Sequence, residues 1–241
     1  MFKHKGKART FSHNLKIASL LSSVAGIVNV AGFFSVQKLT TNVTGHFAYF
    51  VDEIVKFNFS GSLFYFLFVF FFLLGSFFSS FLVEFISNRN ERNIYIIPAS
   101  FEVLILILLG LFGENFIVKY PNWMACVLLF SMGLQNSLVT SISNSIVRTT
   151  HLTGLFTDLG IELSQLFFYR EAEQRFKLKR SIKLRLTIIA SFFLGGFLGG
   201  IFYLRIQIKV LLVAAIILLT GLIYDSIKIR WILLRRKFRS Y

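Results

Sequence analysis

Acidic residues are scarce in this chain: 11 Asp and Glu stand against 26 Lys and Arg, leaving a formal charge of +15 over 241 residues. Cysteine and proline are scarcer, at one and two. A lone Cys126 inside an apolar block excludes an internal disulfide framework and reads as a small buried thiol. The four histidines are scattered, so no metal-ligand cluster is expected. HExxH, a phosphate-cradling Gly-rich loop and a Ser-His-Asp spacing are all missing. Those absences argue against covalent catalysis and against a resident cofactor or metal.

What fills the chain is hydrocarbon. Hydrophobic residues make up 55% and aromatic residues 17%, against 15% charged, and the apolar residues come in blocks about as long as a bilayer is thick. The runs 17–36, 61–86, 94–112, 123–147, 186–204 and 210–227 predict an all-α membrane protein with six transmembrane helices. Basic residues crowd the two ends and the segment 170–185. In a membrane protein that pattern points to anionic lipid headgroups under the positive-inside bias rather than to nucleic acid. The basic start followed by 17–36 could pass for a cleavable signal peptide, but a phrase inside that run recurs in mid-chain, so the run is read as the first span.

The recurrence is the main organising signal. Thr40-Thr41-Asn42-Val43-Thr44-Gly45-His46-Phe47 is echoed by Thr149-Thr150-His151-Leu152-Thr153-Gly154-Leu155-Phe156, identical at five of eight positions and offset by 109 residues. Gly26-Ile27-Val28-Asn29 is echoed by Gly133-Leu134-Gln135-Asn136 at an offset of 107, so two residues enter the second copy between these phrases. Gly75 and Ser79 fall opposite Gly195 and Gly199 at an offset of 120, after a further insertion of basic residues. The chain thus divides into a basic tail 1–16, a first unit 17–113, a second unit 114–227 with a basic loop at 170–185, and a basic tail 228–241. Three spans per unit force the second unit upside down relative to the first, and both termini are then cytoplasmic, together with Arg89, Arg92 and the basic loop. If the short acidic segments after each phrase also span, eight crossings and a parallel repeat follow, with Arg89, Arg92 and Arg148 outside; six is preferred.

The phrases around Asn29, Thr41 to Gly45, Gly133 to Asn136 and Arg148 to Gly154, followed by Thr157-Asp158-Leu159-Gly160, resemble those of the YoaK family, bacterial inner-membrane proteins classed under a domain of unknown function. The resemblance covers nearly the whole chain and implies a multi-pass inner-membrane protein without an established activity. Relatives with Asp in the first helix and Asn after the first Thr-Gly differ from this chain, which has Asn29 and His46.

Two Thr-Gly segments, broken or re-entrant, are the expected site. Hydrocarbon rejects irregular backbone unless protein buries it or water meets it, and secondary transporters build midplane sites from such breaks in inverted repeats. Asn29, Thr41, Asn42, Thr44, Gly45, Gln135, Asn136, Thr150, His151, Thr153 and Gly154 are the expected path, with Thr44 and Thr153 as neighbours around one cavity. Glu102, Asp158 and Glu162 are the acids expected to face the bundle interior, since a carboxylate at membrane depth costs roughly 2.5 kcal/mol or more. Gly75, Ser79, Gly195, Gly196, Gly199 and Gly200 suit close helix packing, within one chain or in a homo-oligomer. Threonines that cap short interfacial helices and amides that tie helix to helix are the plainer reading of the same residues. The functional expectation is a small secondary transporter or permease for a small polar solute or ion; the alternative is a membrane scaffold whose basic loop binds lipid or a partner.

Overall fold

The computed structural model describes residues 10–87 and 94–239, with side chains as far as Tyr224. The tail 1–9, Arg89, Arg92 and the basic side chains from Lys228 onward, all used in the topology argument, lie outside the described residues. The described residues are helical, without a strand: α1 (Phe11–Val36), α2 (Val43–Val55), α3 (Phe59–Ser87), α4 (Ile96–Lys119), α5 (Pro121–Ser143), α6 (Leu152–Phe168), α7 (Ala172–Ile206) and α8 (Val210–Arg239), with a 3-10 turn, Gln207–Lys209, between the last two.

Five helical stretches are long and apolar enough to cross a membrane: α1, α3, α4, α5 and the continuous Ala172–Tyr224, which contains α7, the turn and the start of α8. α2 and α6, at 13 and 17 residues, are about 20 and 26 Å long and fall short of a core about 30 Å thick. α1 starts ahead of its apolar run because Thr10 opens it with a capping box, its hydroxyl accepting the His13 N–H while the His13 ring returns to the Thr10 N–H.

The segment 170–185 is not a loop. Glu171 is extended, and α7 begins at the next residue and runs unbroken for 35 residues. Charge density hid a run of strong helix formers, Ala, Glu, Gln, Arg, Lys and Leu, in which Glu173 and Lys177 pair one turn apart at 2.6 Å. Leu178, Ile182 and Ile189 give this helix an apolar stripe that joins the core.

α1 and α5 are the inner helices, with 61% and 67% of their apolar windows buried, against 22% for α3. The outer face of α3 presents Phe66, Phe70, Phe77 and Phe81, bulk suited to lipid. α1 packs most extensively on α7, and α5 on α3; α2 lies on α3 and α6 on α7; α4 runs beside α8; α1 and α5 touch each other. Glycine permits the two tightest pairs. A Cβ on Gly26 would meet the Phe192 carbonyl oxygen at 2.1 Å, and one on Gly195 would meet that of Ser23 at 2.2 Å. On the other pair, a Cβ on Gly133 would meet the Phe72 carbonyl oxygen at 2.1 Å and one on Gly75 that of Phe130 at 2.0 Å. Gly199 faces Ile27, and Gly196 and Gly200 face Val30. Ser79 is fully buried beside the α3–α5 contact, which Ser76 reinforces by donating to the Gly133 carbonyl at 3.0 Å.

Candidate functional site

Each Thr-Gly phrase begins where an inner helix stops. Gln37 at the end of α1 and Asn144 at the end of α5 are both left-handed, with φ of 55° and 52°, and they turn the chain back on the helix it has left. Thr40 is then fully buried: its hydroxyl donates to the Val28 carbonyl at 3.3 Å, and its methyl occupies the space left by Gly32. Thr41 donates to Asn29 Oδ1 at 2.8 Å. In the second half Thr149 is fully buried and donates to Asn136 Oδ1 at 3.4 Å, while Thr150 donates to the same oxygen at 2.9 Å. A threonine–asparagine clasp therefore occurs in both halves, between residues that correspond in the duplicated phrases.

The two phrases close at different positions along α1. Gln135 donates to the Leu21 carbonyl at 2.8 Å and to Thr149 at 3.5 Å, so the second phrase meets α1 near Leu21. The first phrase lies on Val28 and Asn29, about 10 Å further along α1 at 1.5 Å per residue. Thr44 and Thr153 are exposed in the first turns of α2 and α6. Their expected mutual burial is not what the chain does, because Thr40 and Thr149, four residues earlier, fill the buried positions. Asn42 caps α2 by accepting the Gly45 N–H at 3.2 Å, whereas α6 starts at His151 with no side-chain cap, and the His151 ring lies over Gly154.

Glu102 is 0% exposed on α4, with neither carboxyl oxygen hydrogen-bonded among the described residues. α4 packs on α8, α5 and, more lightly, α3, so Glu102 stands apart from the acids of α6. Those two acids are brought together by a residue that sequence reasoning missed. Arg185 of α7 holds Glu162 in a fork, Nε to Oε2 at 2.9 Å and Nη2 to Oε1 at 3.0 Å, and reaches Asp158 Oδ2 with Nη1 at 2.8 Å. Ser181 adds a bond to Glu162 Oε1 at 2.5 Å. The signal was present in the spacing, since Arg185 interrupts the stripe Leu178, Ile182, Ile189 and so must point at a neighbour. Beside this network lies a polar cavity of about 420 Å³ lined by Ser145, Ile146, Arg148, His151, Gly154, Leu155, Asp158, Ser181, Leu184 and Arg185.

The corresponding face of the first half is aromatic. Tyr49 stacks on Tyr65 with ring centroids 5.2 Å apart, and Lys38 donates to the Tyr65 hydroxyl at 2.7 Å. His46 is buried against Phe68, its ring nitrogen Nε2 donating to the Leu39 carbonyl at 2.6 Å. Burial lowers its pKa below the usual histidine value; the bond to Leu39 opposes that shift and the nearby Lys38 charge adds to it.

Long apolar helices around two clasped polar phrases define the class: a helical protein built for a membrane. Within that class, residues 17–224 match the family described as a protein of unknown function, DUF1275, and the chain belongs to it. No curated protein and no solved structure matches the chain.

Proposed function

We propose that this chain is a small secondary transporter or permease of the bacterial inner membrane, a YoaK-type protein moving a small polar solute or ion. Taking Ala172–Tyr224 as two crossings hinged at Gln207 (φ 50°, ψ −135°) gives six spans, arranged as two inverted three-helix repeats with both termini cytoplasmic. The observation that carries this reading is the repetition of contacts. Gly26 on Phe192 and Gly133 on Phe72, Gly195 on Ser23 and Gly75 on Phe130, and Thr41 on Asn29 and Thr150 on Asn136 are the same three contacts made twice. Exchange of the halves maps the α1–α7 pair onto α5–α3 and leaves the α1–α5 and α4–α8 pairs unchanged, which is the pattern of a pseudo-two-fold axis. Such an axis makes two alternative closures of one bundle similar in energy, and alternating access needs that near-equality.

Glu102 supports the ion side of the reading, because its buried carboxyl has no hydrogen-bond partner among the described residues, and such a group is stable only as the neutral acid or beside a cation. The test is flux into liposomes for a panel of cations, amino acids and small organic acids. Wild-type protein is expected to give saturable, pH-dependent uptake of at least one, reduced tenfold or more by Glu102→Gln or Thr150→Val. Uptake at the empty-vesicle level across the panel sinks the transporter. The scaffold reading is favoured by the exposed basic residues Arg175, Lys177, Lys179 and Arg180 on α7, and it expects their neutralisation, not Glu102→Gln, to abolish function.

A further inference from the structure

The two residues that the second half inserts relative to the first are Ser145 and Ile146, and both line the cavity between α6 and α7. Ser145 continues the left-handed turn begun by Asn144, with φ of 63°, where the first half turns with Gln37 alone. A non-glycine residue is strained in that conformation, so the longer loop is a local cost of making this wall. The same loop ends in Arg148, which takes the place of Leu39. Arg148 is exposed and lines the cavity, and it makes no hydrogen bond or ion pair among the described residues. Arg185 also lines the cavity, but its charge is already met by Asp158 and Glu162. The only acid lining the cavity is therefore engaged, while one guanidinium stands free.

From this arrangement we infer that the cavity is a binding site for an oxyanion, a carboxylate or phosphate group. Arg148 supplies the fork that grips two of its oxygens, and the Ser145 hydroxyl and the His151 ring supply further donors. A volume of about 420 Å³ takes a solute of metabolite size or a single lipid headgroup. The phosphate could come from either source, and the protein chemistry is the same for both. A cation has less to hold it, since Asp158 Oδ2 already accepts from Arg185. The inference concerns binding and stands whether or not the protein transports, so failure of the flux assay leaves it untouched.

The experiment uses the full chain in nanodiscs of phosphatidylcholine, with radiolabelled inorganic phosphate and succinate as soluble probes and added phosphatidylglycerol as the lipid probe. Retained lipid is read by native mass spectrometry. Arg148→Gln removes a side chain without a described partner, so the fold is expected to survive, and an unchanged unfolding temperature checks that. Lys119→Gln, at the C-terminal end of α4 and not among the residues that line the cavity, is the charge control. Saturable binding of a soluble probe, weakened at least tenfold by Arg148→Gln, partly restored by Arg148→Lys and unaffected by Lys119→Gln, supports a solute site. Retention of phosphatidylglycerol that is lost in Arg148→Gln, with no soluble probe bound, supports a headgroup site. If no probe binds, or if Arg148→Gln and Lys119→Gln behave alike, the inference is overturned.

Discussion

The face where α2 meets α3 and the face where α6 meets α7 use corresponding backbone positions for opposite chemistry. Tyr49 on Tyr65 in the first becomes Asp158 on Arg185 in the second, and His46 becomes Leu155. Both faces hang from the same clasp and the same glycine contacts, so the frame does not dictate which is used. A stacked aromatic pair fills space and excludes water, whereas a forked ion pair demands either water or a closely matched partner. A duplicated unit can thus keep its packing fixed while one face becomes a plug and the other a polar cavity.

The strongest way to break this comparison is to attack the shared frame. Gly26→Ala and Gly133→Ala each put a Cβ about 2 Å from a backbone carbonyl oxygen that cannot move without its helix. Each is expected to cost about 2 kcal/mol, the middle of the range for overpacking, with similar falls in unfolding temperature. A large loss at one glycine and none at the other would end the equivalence of the halves.

Next in size is the difference between the faces. Arg185→Gln leaves Asp158 and Glu162 facing each other without a cation, at an expected cost of about 2 kcal/mol, since Arg185 and Glu162 are mostly shielded. Adding Glu162→Gln should recover part of that loss. Tyr65→Phe, which removes only the bond from Lys38, should cost about 0.5 kcal/mol. Thermal unfolding of the three variants in one detergent ranks them, and equal effects at 65 and 185 would erase the proposed contrast.

The smallest effect is a pH dependence carried by His46. Because burial lowers the His46 pKa, the folded state resists protonation more than the unfolded state does. Its contribution to stability is present above the ordinary histidine pKa near 6.5 and is lost as pH falls from there through the lowered value. His46→Leu, which copies Leu155, is expected to flatten that part of the stability profile between pH 7 and pH 5. An unchanged slope would show that His46 does not titrate in this interval.

The helical class and the long apolar stretches were legible because hydropathy over twenty residues is a strong signal. The positions of both polar phrases were legible too, as the duplication marks them. Their depth was not: which threonine of each phrase is buried depends on the left-handed turns at Gln37 and Asn144, and neither residue is a glycine that would advertise the turn. Arg185 was hidden among basic neighbours, since a count of charge does not separate the arginine on the apolar stripe from those facing out. The helix through 172–185 was obscured for the same reason.

α7 is one unbroken helix that meets α1 closely at Gly195 and Gly199 and carries Arg185 at a distance. From Arg185 to the midpoint of those glycines is about 18 Å along the axis, at 1.5 Å per residue. Treated as a lever with its fulcrum at the glycines, α7 needs a tilt of only about 5° to move the arginine by about 1.6 Å. Directed away from α6, that displacement takes the 2.9 Å contact with Glu162 beyond hydrogen-bonding range. The same tilt would lift Leu178 and Ile182 from the core, so the forked ion pair and that apolar stripe latch the far end of α7 together.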